Sequence, residues 1–114
     1  MSEVLTQNWI EAGDLSADFT SVEIPLPNRY ASVIFQGVCT GAPVGTMSVE
    51  VSVLQDEWVT LEGCEDISED LGLTGYFYFI VPYPADYASE MRLKWTSGNS
   101  SSGTIDIAMR LMPL

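Results

Sequence analysis

The chain has 114 residues, and 4 Lys plus Arg against 16 Asp plus Glu give it a formal net charge of −12. That length suits one domain, and 46% hydrophobic with 11% aromatic residues supply enough apolar surface to order it despite the acidity. With no histidine, one lysine (Lys94) and three arginines (Arg29, Arg92, Arg110), imidazole-based acid–base pairs and zinc sites cannot be built, and the cations needed to neutralise a nucleic-acid backbone are missing.

In chain order, Met1-Ser2-Glu3-Val4 shows no basic segment leading into an apolar run, so no secretory signal is expected, and synthesis in a cytoplasm is the expectation. No stretch approaches the roughly 18 apolar residues of a membrane span. Residues 1–16 read as an N-terminal segment, either an edge strand around Leu5 to Ile10 or an arm whose Trp9 anchors to a neighbouring chain. Residues 17–114 form the domain proper. Its dominant signal is period-two alternation, which sends successive side chains to opposite faces of a strand. Met47-Ser48-Val49-Glu50-Val51-Ser52-Val53 alternates without an error, and Val22 to Leu26, Met91 to Trp95 and Ile105 to Leu111 follow the same rule.

Tyr30 to Cys39, Trp58 to Leu61 and Tyr76 to Val81 are strand-like with weaker alternation, the last being a run of Tyr, Phe, Ile and Val suited to a contact surface or burial on both faces. Turn signals separate these runs: Pro27-Asn28, Gly41 to Gly45, Gln55-Asp56, Gly72 to Gly75, Pro82 to Ala85, and a Ser/Gly-rich stretch from Ser97 to Gly103 that reads as a hairpin loop. Glu65 to Leu73 is expected to be a loop with one turn of helix. The pattern predicts an all-β, single-domain antiparallel β-sandwich of jelly-roll or related topology. Val49, Val51, Leu93, Ile105, Ile107 and Met109 are expected between the two sheets, with Trp58 and Trp95 in the core. Cys39 and Cys64 are too few for a disulfide framework; their separation allows one bridge without requiring it.

Tyr30-Ala31-Ser32-Val33, Thr40-Gly41-Ala42-Pro43-Val44-Gly45-Thr46 running into Ser48-Val49-Glu50-Val51-Ser52, Trp58-Val59-Thr60-Leu61, and Met91 to Ser97 with Ser102-Gly103-Thr104-Ile105 resemble the small β-sandwich domains of bacteriophage virion proteins. In those domains a Gly-Thr hairpin leads into the alternating strand and an aromatic strand follows. The resemblance covers roughly residues 20 to 113 and is weaker toward galactose-binding-like modules. It implies a non-enzymatic structural component of a phage or virus particle: a minor capsid, decoration or tail-associated protein in the virion. Its partners would be copies of itself, with a trimer as the working guess, and other virion proteins. The alternative is a carbohydrate-binding module of galactose-binding-like type.

The residues offer three contact chemistries. Eight of the 16 carboxylates, Glu50, Asp56, Glu57, Glu62, Glu65, Asp66, Glu69 and Asp70, lie between residues 50 and 70, and residues 30 to 91 contain no Lys or Arg. Glu65-Asp66 with Glu69-Asp70 could offer oxygens to calcium, but the spacing is not that of an EF-hand loop, and a solvated acidic loop is the simpler reading. No metal, cofactor or catalytic residue is expected, although sixteen acids loosely permit a glycosidase pair, and the acidity alone would allow mimicry of nucleic acid. The aromatics outside clear core registers, Trp9, Tyr76, Tyr78, Tyr83 and Tyr87, are the candidate interface or glycan contacts, because rings of this kind serve protein seams and sugar faces alike.

Overall fold

In the computed structural model, residues 5–26, 30–52, 57–68, 75–81 and 89–113 are described. They form nine strands: β1 (Leu5–Asp14), β2 (Phe19–Thr20), β3 (Ile24–Pro25), β4 (Tyr30–Cys39), β5 (Gly45–Ser52), β6 (Trp58–Thr60), β7 (Gly75–Ile80), β8 (Glu90–Ser97) and β9 (Thr104–Pro113). The first sheet has the order β1-β9-β4-β7; the second has β2-β8-β5-β6, with β3 also on β8. All pairings are antiparallel. β1 pairs β9, β2 and β3 pair β8, β4 pairs β7, and β5 pairs β6. The chain is thus one long hairpin with its tip at β5–β6, rolled so that successive rungs alternate between sheets. The β4–β9 and β5–β8 ladders close the roll, which makes it a jelly roll.

The alternation explains what each face does. Met47, Val49 and Val51 of β5, with Met91, Leu93 and Trp95 of β8, meet Phe35 of β4 and Ile105, Ile107 and Met109 of β9 in a core where each is at most 7% exposed. All six residues expected between the sheets are there, and so is Trp95. Trp58 is not: it sits half-buried on the outer face of the second sheet, opposite Ser52 in register.

The two Gly-rich stretches that read as hairpins are cross-sheet connections. Gly41 to Val44 leads from β4 in the first sheet to β5 in the second, and Gly98 to Gly103 leads from β8 back to β9. The two are stapled together: Thr40 N–H donates to Thr104 O (2.9 Å), Val44 N–H to Ser101 Oγ (2.9 Å), and Ser101 Oγ–H to Leu15 O (2.7 Å). Gly103 has φ +111°, and a Cβ there would lie 1.8 Å from Thr40 O, so only glycine lets the strands close at this point. The Leu15 carbonyl, at the crossing from β1 to β2, also accepts from Trp95 Nε1–H (3.0 Å) and Ser97 Oγ–H (3.1 Å).

Two other stretches depart from simple strands. Along β8, the expected strand at Val22 to Leu26 is reduced to β3 at Ile24–Pro25, with β2 at Phe19–Thr20 ahead of it, and Ser21 bridges the gap by donating its N–H to Leu93 O (2.9 Å) while its hydroxyl accepts from Leu93 N–H (2.8 Å). After β6, residues 61–68 lace onto the remaining edge of β5 through Leu61 N–H to Val49 O, Val49 N–H to Cys64 O and Ile67 N–H to Met47 O. Cys64 and Ile67 are fully buried there, so the first half of the supposed acidic loop is a structural closure. Cys39 and Cys64 are both buried and no disulfide joins them, and burial pushes the Cys39 thiol up to about 11.

Candidate functional site

The N-terminal segment positions one side of the site. β1 is the edge strand beside β9, but its register slips between Asn8 and Ile10 and again between Ile10 and Gly13. These bulges let the consecutive residues Trp9 and Ile10 both bury, at 1% and 6% exposure. Trp9 packs edge-on to Phe35 with ring centroids 5.4 Å apart and donates its Nε1–H to Val22 O at 3.0 Å. The residue offered by the sequence as an anchor to a neighbouring chain is therefore a core residue of its own domain. Within the second slip Ala12 takes a left-handed φ of 48°, and its N–H donates to Asp106 Oδ1 at 2.8 Å. Asn8 Nδ2–H donates to Glu11 Oε1 at 2.9 Å.

These contacts shape the outer face of the first sheet. Register places Asn8, Ala108, Gln36 and Tyr78 in one row across β1, β9, β4 and β7, with Asp106 and Val38 in the next and Arg110, Ile34 and Ile80 in the one on the other side. The short side chain of Ala108 between Asn8 and Gln36 leaves a trough of about 800 Å³, walled by Glu11, Val38, Tyr78 and Asp106. Tyr78 is 68% exposed and Ile80 47%. The trough combines amide and carboxylate groups with one exposed ring, and among the described residues no lysine or arginine lines it. These groups can hydrogen-bond and stack.

The second sheet carries a different group on its outer face. Arg92 Nε–H donates to Glu50 Oε1 at 2.8 Å, with the two side chains 21% and 10% exposed, and the guanidinium lies 4.2 Å from the centre of the Trp58 ring. Cross-strand register opposes Glu50 to Arg92. This stacked ion pair holds β5, β6 and β8 together and leaves Glu50 mostly buried, although alternation gave it an outward position.

Of the candidate contact residues, Tyr78 is on the surface, Tyr76 belongs to β7, and Tyr83 and Tyr87 lie outside the described residues. In the acidic segment, Glu65 Oε1 accepts from Gly63 N–H, and Asp66 Oδ1 accepts from the Ser68 hydroxyl and N–H, which holds the Asp66 carboxyl below its usual value. Glu69 and Asp70 lie outside the described residues, among which no group of three His, Cys, Asp or Glu converges on a point that could hold a metal ion. Asn8, Gln36 and Asp106 were not legible as site residues: β1 and β4 each pair β9, which sets Asn8 and Gln36 on either side of Ala108, 100 and 72 residues away along the chain, with Asp106 one row over. Among known proteins, no family model matches the chain, and no curated protein or solved structure is significantly similar to it.

Proposed function

We propose that the chain is a non-enzymatic structural component of a phage or virus particle, made in the host cytoplasm and acting by assembly with copies of itself and with other particle proteins. One observation carries the reading. In a chain of net charge −12, the ten residues of β4 and the six of β7 include no charged side chain, yet β7 presents Tyr78 and Ile80 to solvent. An uncharged, aromatic strip inside a strongly acidic surface is what a protein seam needs, since charged residues are depleted and tyrosine enriched at interface cores. The jelly roll adds support by analogy alone, being an architecture of viral capsid as well as lectin domains. Mass spectrometry of density-purified particles tests it: the protein should be present in fixed stoichiometry with the capsid or tail proteins, and its absence from particles sinks the proposal.

The trough favours a second reading, a carbohydrate-binding module, because Tyr78 beside Asn8, Gln36, Glu11 and Asp106 supplies a ring and hydrogen-bonding groups without positive charge. A glycan array probed with the purified chain separates the two. Saturable binding lost in Gln36→Ala would favour the module.

A further inference from the structure

The two edges of the first sheet are treated differently. β1 is blunted by two bulges, a device that stops an edge strand from recruiting another strand. β7 has none: its register with β4 runs unbroken from Ile34↔Ile80 to Cys39↔Gly75. β7 also carries neither of the other guards, a charge or a proline, within Gly75–Ile80. Among the described residues, β7 pairs with β4 alone.

The hydrogen-bond pattern fixes which groups face outward. Val81 N–H donates to Val33 O, so in an antiparallel ladder the backbone groups of Phe79 and Phe77 also turn toward β4, and those of Tyr76, Tyr78 and Ile80 turn away from it. We propose that β7 is the seam through which two copies of this chain join, antiparallel about a two-fold axis at Tyr78, to make one continuous eight-stranded sheet. In that register Tyr78 opposes Tyr78 of the second copy, Tyr76 opposes Ile80 and Ile80 opposes Tyr76. Each opposed pair exchanges two backbone hydrogen bonds. This names the partner within the assembly reading and rests on it.

Charge argues for a second copy as the occupant. Two chains of −12 each repel wherever their acidic surfaces meet, and the β4–β7 strip is a place where they can touch without opposing carboxylates. A basic partner, by contrast, would find no acid in that strip to pair with. The contact is isologous, so it closes at two copies, whereas the sequence suggested a trimer.

Sedimentation velocity on the full chain, over a concentration series, tests the seam. Wild type should run at twice its 12.5 kDa mass at the upper end. Tyr78→Pro, which deletes an outward N–H, and Tyr78→Glu, which sets like charges opposite each other at the axis, should both run as monomers with unaltered circular dichroism. Tyr78→Cys should cross-link under mild oxidation, because opposed Cα atoms in such a pair lie about 5.5 Å apart, inside the disulfide range. Thr60→Cys, exposed on β6, should not. Should Tyr78→Pro fail to fold, Tyr78→Glu and the cross-link decide. A wild-type monomer at every concentration, or a dimer that survives Tyr78→Glu and gives no cross-link, overturns the seam. A monomer nonetheless found in purified particles removes the seam and leaves the assembly reading standing. A dimer missing from particles does the reverse.

Discussion

Replacing Trp9 asks whether the first strand belongs to the core or to an arm. The indole is 1% exposed, meets Phe35 edge-on at 5.4 Å and donates to Val22 O at 3.0 Å. Trp9→Ala removes a fully buried aromatic, a change that costs about 3–5 kcal/mol, with the edge-on ring contact included in that figure. Trp9→Phe keeps most of the apolar volume but leaves the Val22 carbonyl without its indole donor, for a loss of about 1–3 kcal/mol. A domain of this size has roughly 5–15 kcal/mol of stability in total, and each kcal/mol is worth roughly 4 °C in Tm. The first variant should therefore melt on the order of 15 °C lower and the second about 4–12 °C lower. Urea unfolding followed by far-ultraviolet circular dichroism gives both values at unchanged m. If Trp9→Ala stays within about 0.5 kcal/mol of wild type, the range of surface substitutions, the bulged edge strand is wrong and the residue belongs to an arm.

Leu93→Ala and Ile107→Ala, from opposite sheets and at most 2% exposed, should each lose about 2–5 kcal/mol in the same urea assay; unchanged midpoints for both would refute the inward register. Gly103→Ala should be at least as damaging, because it meets both the φ of +111° and the Thr40 carbonyl, and a variant melting with wild type would show that the cross-sheet staple is not closed as described. Cys39, buried and with its thiol raised to about 11, should resist alkylation at pH 8 until the chain unfolds, and the mass should not change on reduction; rapid labelling or a mass shift would contradict buried, unbridged thiols. The Ser68 hydroxyl lowers the pKa of Asp66 from 3.8, so the stability it lends is present above that pH and fades as pH falls through the depressed folded value. In Ser68→Ala the Asp66 titration, followed by carboxyl NMR, should move upward, and the stability gap to wild type should vanish in acid; an unmoved titration would refute the assignment.

How much of this was legible depended on whether local pattern or long-range pairing decides the outcome. β5, β8 and β9 alternate cleanly because each has one face on the core and one outward, and their buried residues could be read directly. β1 could not be read as a strand with one face, since its bulges put Trp9 and Ile10 inward together and break the period. Turn residues mark where a chain bends but not which sheet receives it, so the stretches at Gly41 and Gly98 passed for hairpins. Alternation likewise could not foresee that Trp58 would lie beneath Arg92 outside the core. The site was half legible: an aromatic strand with no charge announces Tyr78, whereas Asn8, Gln36 and Asp106 meet only once β1, β9 and β4 are paired.

Residue-resolved hydrogen exchange along β7 tests the central claim, that its edge away from β4 is an assembly surface. Phe77, Phe79 and Val81, whose N–H groups face β4, should be protected at every concentration. Tyr76, Tyr78 and Ile80 should exchange rapidly when the protein is dilute and become protected as it is concentrated or bound into particles. If those three amides stay rapidly exchanging in both concentrated protein and particles, or are already protected in a dilute monomer, the edge is not where this protein assembles.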